Sequence, residues 1–158
     1  MSELNLQSVF ELSSGIILTS DEMTTMNIFV SITKISPKDC IIDKKLERII
    51  FIVKPGFVGT AIGRNGFHIK KLKSILAKDI EIVEDNENPE LFIKNALVPA
   101  SVENVVIVKR KNKPTLAFVT IKRGHRGLAI GKDGRNIERA RLLAKRHFDI
   151  ENVIISNQ

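Results

Sequence analysis

The chain has 158 residues, 43% hydrophobic and 27% charged, with a mean hydropathy of +0.02. That is globular composition with apolar side chain enough for one domain or two small ones, and it excludes disordered, collagen-like and coiled-coil chains. The net charge is +7 and the pI about 9.7, which suits a polyanionic partner.

The charge is uneven along the chain. Residues 1–87 hold 11 Lys+Arg against 12 Asp+Glu, a balance of −1, whereas residues 88–158 hold 14 against 6, a balance of +8. Apolar runs such as Ile49 to Val53 are too short to cross a bilayer. The opening Met1-Ser2-Glu3-Leu4 has no basic segment followed by an apolar one, so it does not read as a secretory signal. The single cysteine, Cys40, has no Cys or His at metal-ligand spacing and reads as a small strand hydrophobe. A soluble, reducing, cytoplasmic setting is expected, with no membrane, metal or cofactor.

In chain order, residues 1–19 read as an N-terminal arm or an added strand. A helix is predicted from Asp21 to Lys34, with Ser20 as its N-cap and a stripe of Met23, Met26, Phe29 or Val30, and Thr33. Two β-branched runs follow, Cys40 to Ile42 and Arg48 to Val53, across the turn Asp43-Lys44-Lys45. Lys54-Pro55-Gly56 stops the second run. A short helix, a longer one from Phe67 to Lys78 and a strand from Ile80 to Val83 complete the first segment.

The second segment repeats the order after the polar stretch Asp85 to Pro89. A helix is predicted from Glu90 to Leu97, opened by Pro89 and closed by Pro99. Strands from Val105 to Val108 and Leu116 to Ile121 flank the turn Lys111 to Pro114. A helix from Arg135 to His147 and a strand from Ile150 to Ile155 end it. The domains are thus expected at 20–85 and 86–158, each α-β-β-α-α-β.

An internal repeat supports that division. At a constant offset of 68, Gly59, Ala61, Ile62, Gly63, Gly66 and Ile69 match Gly127, Ala129, Ile130, Gly131, Gly134 and Ile137. Each copy holds a Gly-x-x-Gly loop ahead of a helix, Gly63-Arg64-Asn65-Gly66 and Gly131-Lys132-Asp133-Gly134. Glycine admits positive φ and lets a foreign backbone approach, and N–H groups at a helix start favour an anion. Cations follow each loop. With Ile69, Leu72 and Leu76 inward, Lys70, Lys71 and Lys73 face solvent. With Ile137, Ala140 and Ala144 inward, Arg135, Arg139, Arg141 and Lys145 are available. Such a row should track a nucleic-acid backbone, although Lys145 and Arg146 read more simply as a solvated face. Asp133 puts a negative charge inside the second loop, where it repels phosphate.

Phe92-Ile93-Lys94-Asn95-Ala96-Leu97-Val98-Pro99-Ala100 and Leu128 to Ile137 resemble the tandem KH region of NusA, a family of transcription termination and antitermination factors. The likeness covers roughly residues 20 to 156 and is greatest to the short archaeal form. It implies an α+β fold of two tandem type II KH domains, each with three helices packed on a three-stranded mixed sheet. It implies single-stranded RNA as partner, gripped by the GxxG loops, with Ile62, Ile69, Ile130 and Ile137 lining the base grooves. The chain has no room for the polymerase-binding and S1 domains of bacterial NusA, so the resemblance carries over no polymerase-contacting residue. RNA polymerase and other transcription factors are further partners that a transcription role raises.

Other readings differ in class. Phe118 reads as core, and with no Trp or Tyr in the chain, base recognition is expected from apolar contact and base-edge hydrogen bonds. His68, His125 and His147 have no metal or catalytic spacing, His125 reading as exposed and His147 as closing its helix. A nucleotide-using enzyme would need Gly-x-x-x-x-Gly-Lys-Ser/Thr, which neither loop has, so the chain is not expected to be an enzyme. A KH scaffold that binds protein partners is the main alternative.

Overall fold

The strand Arg48–Val53 is the one around which the N-terminal half is built. The computed structural model describes residues 9–11 and 16–156. They divide into two units, Met1–Asp85 and Asn86–Gln158. In the first, β1 (Val9–Glu11) pairs antiparallel with β2 (Ile17–Thr19), and helix α1 (Ser20–Thr33) follows directly. Residues 1–8 and 12–15 of the expected arm lie outside the described residues. The sheet proper is β3 (Asp39–Asp43), β4 (Arg48–Val53) and β5 (Asp79–Glu84), with β4 central, antiparallel to β3 and parallel to β5. The short helix α2 (Val58–Ile62) and α3 (Phe67–Leu76) form the crossover between β4 and β5.

All six residues of β4 are buried. Ile49, Phe51 and Val53 share one face of the pleat and join Phe29, Cys40, Ala61 and Leu72 in the core. The rings of Phe29 and Phe51 stack at 4.3 Å between centroids, and each buried ring of this kind contributes about 2–3 kcal/mol. Arg48 lies on the other face and is fully buried. Its Nε donates to Asp43 at 2.9 Å and a terminal nitrogen to Glu81 at 3.2 Å. Pairing with carboxylates on both flanking strands is what makes a buried guanidinium tolerable.

Two details of α1 differ from expectation. Its N-cap is Thr19, whose Oγ1 accepts from the Glu22 N–H at 3.2 Å, because Thr19 keeps the extended backbone of β2 while Ser20 is already helical. The buried stripe is Thr25, Phe29 and Thr33, and Met23 is exposed.

The second unit has the same order. Helix α4 (Pro89–Ala96) is capped by Asn88, whose Oδ1 accepts from Glu90 and Leu91 N–H groups, with Pro89 in its first turn. The sheet is β6 (Val102–Arg110), β7 (Lys113–Ile121) and β8 (Asn152–Ile155), with β7 central, antiparallel to β6 and parallel to β8. The β6–β7 turn is only Lys111-Asn112, shorter than expected, because Asn112 adopts a φ of 59° and reverses the chain at once. Pro114 sits inside β7 beside a register irregularity, a place where a missing N–H is tolerated. Helices α5 (Arg126–Ile130) and α6 (Arg135–Phe148) fill the crossover to β8. Phe92 of α4 is buried against Phe148 and His147 of α6, with centroids 5.2 Å and 5.1 Å away. Each unit is thus an α-β-β-α-α-β arrangement with helices on a mixed sheet.

Candidate nucleic-acid interface

The repeated loops fold the same way. Gly63 and Gly131 have φ of 80° and 76° with ψ of 166° and 173°, a region essentially open only to glycine. Next come Arg64 and Lys132, both exposed. Asn65 (φ 55°) and Asp133 (φ 57°) then take the left-handed conformation, and Gly66 and Gly134 repeat it before the helix starts. Asn and Asp are the non-glycine residues that tolerate this region best. That explains why an acidic residue stands in the second loop: its backbone role is the one Asn65 fills in the first.

The N–H groups of the loop glycines are engaged within each loop and its preceding helix. The Gly66 N–H donates to the Gly63 carbonyl at 3.0 Å and the Gly134 N–H to the Gly131 carbonyl at 3.1 Å. The Gly63 and Gly131 N–H groups close the preceding helices on Gly59 and Gly127, and the Phe67 and Arg135 N–H groups bond back to Arg64 and Lys132. These N–H groups shape the loop from within.

A second matched pair, absent from the sequence-based expectations, locks each loop. His68 Nδ1 lies 2.9 Å from the Thr60 carbonyl oxygen, and Asn136 Nδ2 donates to the Leu128 carbonyl at 2.7 Å. The two residues occupy equivalent positions, 68 apart, and each folds over the first glycine of its loop. A Cβ on Gly63 would stand 2.8 Å from the His68 ring, and one on Gly131 would stand 2.8 Å from the Asn136 amide. Their chemical unlikeness hid the equivalence in a comparison that scored identities.

The cation rows are unequal. Lys70, Lys71 and Lys73 are all exposed on α3, with Lys73 3.0 Å from Asp79. On α6, Arg139 is not the surface cation that helical period suggests. It is 7% exposed, with Nε donating to the Ala96 carbonyl at 2.9 Å and a terminal nitrogen to the Val98 carbonyl at 2.7 Å. Carbonyls beyond the end of α4 need donors, and Arg139 supplies them. Arg141 is half-buried and held by the Val153 carbonyl and Glu138. Arg135 is half-buried beside its loop. Lys145 is exposed and bonded to Glu151 and Asp149, which raise its pKa above the ordinary 10.5, the Glu151 hydrogen bond being the larger cause. The exposed positive charge nearest the second loop is therefore Lys132 itself. Three further cations, Lys122, Arg123 and Arg126, line a cleft of about 300 Å³ with Ile155 and Ser156 at the start of α5. Sequence reasoning gave these three no role.

The four isoleucines separate as well. Ile62 is exposed, Ile69 and Ile130 half-buried, and Ile137 belongs to the core at 5% exposure. His125 is half-buried rather than exposed, its Nδ1 accepting from the Ser101 N–H at 3.0 Å. Among the described residues, no cluster of His, Cys, Asp and Glu could hold a metal ion, and no helix is long and apolar enough to cross a membrane.

Comparison with known proteins agrees with this geometry. Residues 25–113 match the KH domain family, and residues 89–158 match the family of NusA-like second KH domains. A probable transcription termination protein NusA of Halococcus morrhuae is 38% identical over 86% of this chain and 95% of its own. One from Methanocaldococcus jannaschii is 36% identical over 89% of this chain and 76% of its own. The crystal structure of APE1850 has the same fold, with a TM-score of 0.82 and 36% identity over 88% of this chain and all of that one. With its two Gly-x-x-Gly loops set in matching α-β-β-α-α-β frames, the chain belongs to the NusA family of KH-domain proteins.

Proposed function

We propose that the protein binds single-stranded RNA through its two loops and acts in transcription termination or antitermination, with KH domains at 20–85 and 86–158. The observation that carries this is the pair of loops with matching backbone angles, each presenting an exposed cation, Arg64 or Lys132, at its tip. A GxxG loop clamps the sugar–phosphate backbone, leaving bases to the adjacent groove. In the first domain Arg64, Lys70, Lys71 and Lys73 supply the charge and Ile62 and Ile69 the apolar wall. In the second, Lys132 stands within the loop and Arg135 follows it, while Arg139 supports α4.

The test is binding to short single-stranded RNAs across a salt series. Affinity should fall linearly on a log–log plot, with a slope of about −0.7 per phosphate neutralised. Replacing Arg64 and Asn65, or Lys132, with Asp should weaken binding and leave the fold intact. Affinity indifferent to salt, or to those changes, would rule the loops out as the grip. The families matched here point to binding and not to catalysis, and a nucleotide hydrolysis assay separates the enzyme reading. Use of the domains as a scaffold, for polymerase or another factor, would appear as a pull-down that survives the loop substitutions.

A further inference from the structure

Directly after the first loop, where the second has Arg135, stands Phe67. Phe67 is 60% exposed, although it opens a helix whose Leu72 is fully buried. The Lys71 ammonium lies 5.9 Å from the ring centroid and the His68 ring meets it edge-on at 6.1 Å. The ring is thus held beside the loop by neighbours that the same helix supplies, and is not packed into the core. Arg64 in the loop and Lys70, Lys71 and Lys73 on the same helix are exposed cations.

We propose that Phe67 is a stacking platform for a nucleobase of the strand held by the first loop, an inference that rests on the RNA-binding reading above. Every base has a π-face, so an aromatic ring beside a phosphate grip takes whichever base follows the gripped phosphate. The exposed cations of this loop and helix favour a polyanion over an apolar protein surface, and Lys71 adds cation–π attraction at the ring. Because position 135 is Arg, the platform belongs to the first domain alone. Aromatic stacking therefore contributes to base recognition here despite the lack of Trp and Tyr.

That lack also provides the test. With no Trp or Tyr in the chain, F67W introduces one indole whose emission reports its own surroundings. A single-stranded RNA should quench it saturably, and F67W should bind as tightly as the parent. F67A and F67L should weaken RNA binding about 5- to 100-fold. Stacking involves no counterion release, so their log affinity against log salt should run parallel to the parent line. F67L binding within twofold of the parent, an altered salt slope, or no quenching of F67W on binding would overturn the platform. A parent chain that binds no RNA even at low salt would overturn the RNA-binding reading and the platform together.

Discussion

His68 Nδ1 sits 2.9 Å from the carbonyl oxygen of Thr60, eight positions earlier across the first loop. A carbonyl only accepts, so Nδ1 carries the proton and the ring donates. Asn136 makes the same bond to Leu128 with an amide. Exchange should therefore be tolerated. H68N is expected to keep RNA affinity near the parent value, and N136H likewise. H68A should lose about 1 kcal/mol of stability and bind RNA more weakly. Urea unfolding and RNA titration on the three variants check this, and H68N behaving like H68A would show that the donated bond does not set the loop.

The two glycines of a loop should respond differently to alanine. Gly66 has open space where a Cβ would go, so G66A pays only for the left-handed backbone, about 1–2 kcal/mol. Gly63 has a backbone region closed to other residues and a Cβ that would meet the His68 ring and its backbone nitrogen. G63A is expected to cost about 3 kcal/mol, and G131A should exceed G134A in the same way. Denaturant midpoints rank the four, and equal costs within a loop would contradict the packing described.

Asp133 takes the left-handed backbone of the second loop (φ 57°), and on the RNA-binding proposal its charge would oppose the ligand. D133N copies Asn65, preserving the left-handed turn while removing the repulsion. RNA affinity should rise about twofold to fivefold at low salt, as expected for one exposed charge a few ångströms from a phosphate, and the gain should fade at high salt. Stability should not change. A loss of affinity would mean that the carboxylate itself makes a favourable contact with RNA.

Arg139 and Lys132 should part company in the same pair of assays. R139M removes two buried hydrogen bonds and leaves the Ala96 and Val98 carbonyls short of donors, a loss of about 2–4 kcal/mol. K132A should leave stability nearly unchanged and lower RNA affinity with a shallower salt slope. If R139M changed the salt slope of a still-folded protein, Arg139 would have to reach the nucleic acid after all.

The order of elements, both loops and the central strands were legible because they rest on local rules: β-branched runs, glycine pairs and a repeat at fixed spacing. What stayed hidden depends on which tertiary group a side chain meets. Arg139 lies at the flank of the stripe formed by Ile137, Ala140, Leu143 and Ala144, and only the course of the chain after α4 turns that cation inward. Arg48 reads as a polar strand start, and its burial becomes intelligible only when Asp43 and Glu81 arrive from two other strands. Thr19 displaced Ser20 as a cap because the preceding strand extends one residue further. The equivalence of His68 and Asn136 is one of geometry, invisible to a comparison of letters.

The parallel pairing of β4 with β5 bears on when the grip comes into being. Arg48 lies opposite Asp79, so the connection that must close before this pairing carries the whole loop and both its helices. The β3–β4 hairpin is local and closes in about 1–10 μs, whereas a parallel partner must wait for its crossover to organise. The crossover that carries the first loop is therefore closed only when the strand ending at Glu84 pairs with β4.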